Sequence, residues 1–352
     1  MKKHIVFCGG GSGGHVMPAL TLIEALKEKD YVIEYIGGNG IESEIVPSKS
    51  IPYHQIQTGK LRRYLSVQNM IDIFKVGIGI IQAFFFMLGR PSNTLVFSTG
   101  GFVSVPVIIA AWLTGKKIFI HEQTSRVGLA NKIASKFADK VFISFDESKN
   151  YFPTAKTSLS GYPLRDECYI SDIGSIIIEG IDVSSSMKPV MFITGGGNGA
   201  KILNEKIREN LEELSKRFLI VHQVGKQFVD EYHVLKNEHY LPVAFVGPEM
   251  IDLFKKAEIV ISRAGAGTVS ELLSLNKKSI FIPLKIAQKN EQFHNAMEAH
   301  EKIGSLVIEE DEFQNLSMIE ILDRFYGDQD KLKSYRMPNG KDILIEEIKK
   351  AF

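Results

Sequence analysis

The sequence predicts an α/β protein built from two doubly wound, Rossmann-like parallel-sheet domains in tandem. Three observations predict it. The chain opens with an apolar strand, His4–Phe7, followed by the glycine turn CGGGSGGHVMP (8–18) and an amphipathic run to about Lys29. The same plan recurs far downstream as PVMFIT (189–194), GGGNGAKILN (195–204) and a helical run to about Arg217. Strand, glycine turn and helix form the opening unit of a nucleotide-binding α/β domain. Finally, 352 residues are enough for two such domains.

The remaining elements follow in order. The first half offers strands at 32–36, 94–98, 117–121 and 140–143, separated by helical stretches. The second offers 218–222, 243–246, 258–262, 279–283 and 305–308. Strands alternating with helices make parallel sheets. GYPLR (161–165) reads as the hinge, residues 166–188 as irregular, and the run from about Gly340 as a closing helix. The boundary is placed between residues 163 and 164, with 340–352 grouped with the first domain and 164–339 forming the second.

Composition narrows the function. The net charge of +1 argues against a general nucleic-acid binder. Cys8 and Cys168 are the two cysteines, with neither a CxxC nor a Cys/His spacing, so neither a disulfide scaffold nor a zinc site is expected. A reducing, cytosolic compartment without a signal peptide is the expectation. The stretch 71–88 is very apolar, but Asp72, Lys75 and Gln82 interrupt it. Its uninterrupted part falls short of the roughly 18–20 residues of a spanning helix.

Gly9, Gly11 and Gly14 match G-x-G-x-x-G, a turn whose backbone can approach a diphosphate at a helix N-terminus. A dinucleotide site also wants an acid closing the second strand, yet that strand ends in Gly37-Gly38 and Glu34 lies mid-strand. A nicotinamide or flavin oxidoreductase is therefore one alternative, and a turn needed only for helix–strand packing is another. His15 follows the glycines in the first helical turn, with Pro18 at an early helix position. A helix N-terminus disfavours imidazolium, and a neutral imidazole suits a general base; capping the helix is the alternative role.

IVISRAGAGTVSELL (259–273) is strand, glycine loop and helix again. Its backbone donors could cup a phosphate, and Glu271 could accept both hydroxyls of a ribose. Thr268 to Glu271 also reads as a capping box, and Arg263 as either a phosphate partner or a structural ion pair. KIAQKNEQFHNA (285–296) is rich in amides that suit sugar hydroxyls or a solvated loop: Gln288, Asn290, Gln292 and Asn295. The D-x-D at 328–330 lies away from the glycine loops and reads as a surface turn, so no metal site is expected.

Taken together, these pieces resemble the MurG family of bacterial N-acetylglucosaminyltransferases. Six motifs stand in family order: GGGSGGHVMP (9–18), TGKLRRY (58–64), GGFVSVP (100–106), HEQTSRVGLANK (121–132), GGGNGAKILN (195–204) and SRAGAGTVSE (262–271). EQFHNA (291–296) is a looser seventh. The resemblance implies a GT-B fold, with the two domains facing a cleft. It implies inverting, metal-independent transfer, with no cofactor, from UDP-N-acetylglucosamine to the C4 hydroxyl of the lipid-linked muramoylpentapeptide, lipid I. The product would be lipid II for peptidoglycan, hence a part in cell shape and division beside other cell-wall synthesis proteins.

Carried over by position, the donor contacts would be Ser12, Gly13, Gly14, Thr124, Arg165, Gly197, Asn204, Val246, Arg263, Ala266, Gly267, Thr268, Val269, Ser270, Glu271 and Gln292. Glu271 would take the ribose, Gln292 the sugar hydroxyls and the Val246 backbone the uracil. The acceptor would meet Gly100, Gly101, Phe102, His121 and Asn131. His15 is the candidate base and Glu122 its rival. Three positions depart from the family pattern: Gly197 replaces a serine, Thr124 an asparagine, and Glu291 the first of two glutamines.

A polyprenyl acceptor demands work at a bilayer. Lys60, Arg62 and Arg63, with Phe85 and Phe86 of the apolar run, form a candidate peripheral contact with the cytoplasmic face of the membrane. Phe84, Phe85 and Phe86 would span about 200° of a helix, wider than a core stripe needs; burial between the sheet and its neighbours is the alternative. Two other function classes stay open: a related transferase with another lipid acceptor, such as a diacylglycerol, and a non-catalytic nucleotide-binding scaffold.

Overall fold

The computed structural model describes residues 2–27, 30–59, 67–286, 290–327 and 335–352, with side chains of 67–71 excepted. The chain divides into two compact units, Met1–Leu164 with Pro338–Phe352, and Arg165–Met337.

Among the described residues, the first unit carries a seven-stranded parallel sheet. Its strands are β1 (Lys3–Cys8), β2 (Tyr31–Gly37), β3 (Tyr53–Gln55), β4 (Leu95–Ser98), β5 (Lys117–Glu122), β6 (Lys140–Ile143) and β7 (Thr157–Leu159). Their order is β3-β2-β1-β4-β5-β6-β7, with β1 inside the sheet, Ile5 opposite Ile33 on one side and Leu95 on the other. Successive side chains of β1 alternate faces, and each face has its own core. Val6 and Cys8 pack with Val96, Val107 and Ile120. Ile5 and Phe7 pack with Val16, Ile23 and Phe97. The closing helix Gly340–Lys350 completes the second core with Leu344, Ile345 and Ile348, which fixes its docking place in the first unit.

The second unit begins with the small antiparallel pair β8 (Ile177–Ile178) and β9 (Ile181–Asp182). Its main sheet has β10 (Val190–Thr194), β11 (Leu219–Gln223), β12 (Tyr240–Val243), β13 (Ile259–Ser262), β14 (Ile280–Phe281) and β15 (Leu306–Val307). The order is β12-β11-β10-β13-β14-β15, again parallel and again with the opening strand inside. Helix Lys201–Glu209 lays Leu203 and Ile207 on Met191, Ile193 and Ile220.

Three local expectations need correction. The strand expected at 243–246 is β12, three residues earlier. It is an edge strand, so Pro242 inside it forfeits no inner ladder bond. Within the segment expected to be irregular, residues 166–188 include a 3-10 turn (Asp166–Cys168) and the β8–β9 pair. Pro18 falls in the second turn of helix Gly13–Leu26 rather than at its start.

Helix Val67–Leu88 packs on helix Ser104–Leu113 and buries Val76, Ala83 and Met87. Its other face is apolar and exposed: Ile73, Phe74, Ile78, Ile81, Phe85 and Leu88. Among the described residues, no helix is long and apolar enough to cross a membrane.

Candidate active site

In the first unit the loop after β1 leads into helix Gly13–Leu26, whose N-cap Ser12 makes no side-chain capping bond. Its hydroxyl instead lies 3.0 Å from Nδ1 of His15. The His15 ring is half-buried beneath the loop, close to the Gly10 backbone. Burial pulls its pKa down to about 4, against the opposing pull of the Glu42 carboxylate, so the imidazole is neutral near pH 7. Capping is not its task. Thr99 Oγ1 donates to the His15 carbonyl at 2.6 Å, and the Gly10 N–H donates to the Gly100 carbonyl at 3.2 Å. The loops at 9–15 and 99–101 are thereby one assembly. Gly101, at φ +85°, lies so close that an added Cβ would sit 2.2 Å from the Gly10 carbonyl. Phe102 follows, partly exposed.

The HEQT segment closes β5 and turns inward. His121 is fully buried, with Nε2 3.1 Å from the Gly161 carbonyl and Nδ1 3.3 Å from Nε2 of Gln123. Burial holds it at about 4 as well. Both ring nitrogens are used inside the unit, so His121 shapes the 121–131 loop without presenting itself to a ligand. Glu122 is likewise buried. Its Oε1 accepts from the Thr124 N–H (3.1 Å) and hydroxyl (2.8 Å), and its Oε2 from Asn131 Nδ2 (3.1 Å). Desolvation raises its pKa while these donors oppose the rise. Such a carboxyl organises residues 122–131 and is poorly placed to take a proton from a substrate. The Asn131 carbonyl Oδ1 is buried beside Gly100 with no protein partner. It is the acceptor atom that this loop leaves for a ligand hydroxyl or a water.

The second unit holds the complementary pieces. Helix Ala266–Ser274 has Gly265 as its N-cap, three residues before the expected capping residue Thr268. That overturns the capping-box alternative: Glu271 lies a turn and a half inside the helix and caps nothing. The N-cap glycine has no side chain, which leaves the N–H groups of Ala266, Gly267 and Thr268 without an intrahelical partner, facing an anion's natural place. Val269 and Ser270 are buried behind them, and Ser270 Oγ has no partner. The Glu271 carboxylate is held by Arg165 Nη2 at 2.8 Å. Burial raises the Glu271 pKa, and the guanidinium pulls it back.

Gln292, at the start of helix Glu291–Ile303, accepts the N–H groups of Ala264 (3.2 Å) and Leu284 (3.1 Å) on Oε1, while Asn295 Nδ2 donates to the Ala264 carbonyl at 3.2 Å. Part of the amide-rich stretch is therefore scaffolding for the 263–265 loop, and the Gln292 NH2 end is what remains for a sugar. Arg263 pairs with Glu310 at 2.6 Å and donates to the Ile282 carbonyl at 3.0 Å, which withdraws it from a phosphate role. Asn204 is buried and spent on the Val224 carbonyl (3.0 Å) and His222 (3.1 Å). It braces the second glycine loop from behind. Gly197 stands at the exposed tip of that loop, with nothing within 4 Å of an added Cβ.

Sequence reasoning missed Glu42 and Gln223. Gln223 Nε2 donates to the Gly196 carbonyl (2.8 Å) and Thr194 Oγ1 (3.1 Å), while its Oε1 accepts the Val246 N–H (2.8 Å). One side chain thus joins the second glycine loop to the loop proposed for uracil. The adjacent Phe245 is 65% exposed, a flat apolar surface where a base could stack. Lys60, Arg62, Arg63, Gln288 and the D-x-D at 328–330 lie outside the described residues. Phe86 is turned in, its ring against Arg90 (3.8 Å) and His54 (4.5 Å), so Phe85 alone of that pair faces outward.

Residues 5–143 match the glycosyltransferase family 28 N-terminal domain, and residues 190–348 match the family 28 C-terminal domain. The chain belongs to glycosyltransferase family 28. This family-28 chain is 39% identical over 361 residues to the UDP-N-acetylglucosamine–N-acetylmuramyl-(pentapeptide) pyrophosphoryl-undecaprenol N-acetylglucosamine transferase of Clostridium tetani (strain Massachusetts / E88), covering 100% of this chain and 99% of that one. The same-named enzyme of Clostridium perfringens (strain SM101 / Type A) is 40% identical over 362 residues, with the same coverage. The crystal structure of MurG from Acinetobacter baumannii superposes with a TM-score of 0.74 at 24% identity, covering 99% of both chains, which is a likeness of fold.

Proposed function

We propose that this family-28 glycosyltransferase moves N-acetylglucosamine from UDP-N-acetylglucosamine to the C4 hydroxyl of undecaprenyl-diphospho-muramoylpentapeptide, with inversion, at the cytoplasmic face of the membrane. The observation that carries the reading is the end-to-end match to two clostridial transferases whose names state this donor and acceptor. The geometry supports it at both ends of the reaction.

On the second unit, the nucleotide lies with uracil at Phe245 and Val246, ribose on Glu271, and diphosphate before the open N–H groups of residues 266–268 and the Gly197 loop. Arg165 exchanges its Glu271 contact for the diphosphate as the ribose arrives. Those donors meet the charge that grows on the leaving UDP. On the first unit, His15 is the base. In the tautomer that carries its proton on Nε2, Nδ1 accepts from the exposed Ser12 hydroxyl; the acceptor's C4 hydroxyl takes Ser12's place. The C4 oxygen then attacks the anomeric carbon from the face opposite UDP. Its proton passes to Nδ1, and the bond to the diphosphate breaks. Asn131 Oδ1 and the 100–102 loop orient the acceptor.

The exposed apolar face of helix Val67–Leu88 supports the membrane assignment, and Trp112 and Leu113 continue it. A polyprenyl-linked substrate is reached most readily by a protein that rests on the bilayer. Replacing Phe74, Phe85 and Trp112 with serine is expected to reduce co-flotation with anionic vesicles; undiminished flotation removes this face from the account.

The deciding experiment is transfer of labelled sugar to a short-chain lipid I analogue. Transfer from UDP-N-acetylglucosamine in preference to UDP-glucose and UDP-galactose is expected. Equal transfer to a diacylglycerol would favour the other lipid acceptor, and no transfer from any UDP-sugar would reject the proposal.

A further inference from the structure

Glu42 opens the short helix Glu42–Ser48 and is fully buried. Its Oε2 accepts the N–H of Gly11 at 2.9 Å, and its Oε1 accepts the N–H of Gly38 at 3.2 Å. One carboxylate thus closes two loops separated by more than twenty residues of sequence, the glycine loop after β1 and the turn after β2. The chain makes room for it. A Cβ on Gly10 would lie 2.4 Å from the Glu42 carboxyl carbon, and one on Gly40 would lie 2.6 Å from Oε2. Among the described residues no cation pairs with it. A buried carboxylate is costly, and two glycine N–H groups and a helix N-terminus offset only part of that cost. Holding two loops together would need no charge, because a neutral acceptor could do it. The charge calls for a separate explanation, and His15 lies on the same loop.

We infer that Glu42 is a positioning residue for His15: it fixes the glycine loop around the ring and supplies the negative charge beside which the His15 imidazolium forms. The inference deepens the proposed function, because it matters for turnover only if His15 is the base. Among the described residues, the other groups in this pocket are neutral. Ser12 and the Gly10 backbone touch the ring, Thr99 Oγ1 bonds the His15 carbonyl, the Tyr35 hydroxyl donates to the Gly9 carbonyl at 2.8 Å, and the Tyr53 hydroxyl donates to the Gly38 carbonyl at 2.5 Å. Cys8 is buried behind them, its thiol pushed up to about 12. A negative charge at Glu42 favours protonated His15, whose loop it grips through the Gly11 N–H and whose Gly10 lies against its carboxyl. A base that must hold a proton during the reaction benefits from that field, and a diphosphate does not. The first glycine loop is accordingly suited to proton transfer rather than to holding the leaving group.

The test uses the full chain, with the His15 ring titrated by NMR and kcat and KM for the donor measured across pH. Glu42→Gln is expected to move the His15 midpoint down and to shift the acid limb of kcat with it. It should lower kcat at neutral pH about tenfold, less than the roughly 10²–10⁴-fold of losing the base itself, and leave donor KM unchanged. Glu42→Asp keeps the charge and should hold the midpoint near that of the parent protein. A folded Glu42→Gln protein with an unmoved His15 midpoint overturns the inference, as does Glu42→Asp moving the midpoint as far as Glu42→Gln. If neither variant folds, hydrogen exchange in the parent protein decides: the Gly11 and Gly38 amides must be protected, and exchange at open-chain rates overturns the inference. The NMR midpoint is independent of turnover. A shifted midpoint together with an active His15→Ala enzyme would therefore fail the assignment of the base while the Glu42–His15 link stands.

Discussion

The two units open with the same strand, glycine turn and helix, yet the two turns are braced by opposite chemistry. The first, at residues 9–15, is gripped by the Glu42 carboxylate. The second, at 195–200, is gripped by the Gln223 amide, which also reaches Val246. An acid behind a glycine loop repels phosphate and favours a nearby proton; an amide behind one is neutral and leaves the loop's own N–H groups to an anion. The shared G-rich pattern therefore does not define a shared task. What stands behind the loop does.

The largest expected effect comes from His15. His15→Ala should lower kcat by roughly 10²–10⁴-fold with donor KM nearly unchanged. A large rise in donor KM instead would mean that the first loop holds the donor and would erase the contrast. Glu271→Ala should do the reverse, raising donor KM about 10–100-fold, the scale of losing hydrogen bonds to a charged group, with a smaller change in kcat. A fall in kcat alone would undo the assignment of the nucleotide to the second unit.

Each unit also hides a neutral histidine behind its site, His121 in the first and His222 in the second, which burial brings to about 4 and about 3. The folded values lie below the ordinary 6.5, so the unfolded chain binds protons that the folded one refuses. The stability they represent is intact above about pH 6.5 and drains as pH falls toward 4, by up to about 3 kcal/mol per histidine. Urea midpoints across that window should fall with pH. His222→Asn should flatten the slope in one unit only, and a slope unaltered by that change would locate the acid sensitivity elsewhere. The smallest expected effect separates the loops sterically. Gly197→Ala enters open space and should change stability by no more than about 0.5 kcal/mol. Gly10→Ala meets the Glu42 carboxyl and should cost about 1–3 kcal/mol. Equal thermal shifts for the two would contradict the tighter packing of the first loop.

Much of the fold was legible because β1, β4, β5, β6, β10 and β13 are buried on both faces and read as unbroken apolar runs between glycine turns. β3 and β7 were not, since three half-exposed residues at a sheet edge carry no pattern. Displacement of β12 has a similar origin: Pro242 breaks an apolar stretch that runs on past the true strand to Val246. At the site, the glycine loops, His15 and Glu271 announce themselves by spacing. Glu42 and Gln223 do not. Their partners lie 31 and 27 residues away in the chain, and a single acid or amide at the end of an element looks like any surface residue until the fold brings the loop to it. His121 and Glu122 illustrate the converse, a motif that points to chemistry but whose side chains are consumed in holding its own loop.

The closing helix has a consequence for how the molecule is made. Leu344, Ile345 and Ile348 fill the same core as Ile5, Phe7 and Val16, so that core lacks a wall until this later stretch of the chain joins it. Between these events the whole second unit is synthesised, and it has a core of its own that can settle first. The first unit is thus assembled from two stretches far apart in the chain, and its Ile5–Phe7 core is complete only when residues 344–348 join it.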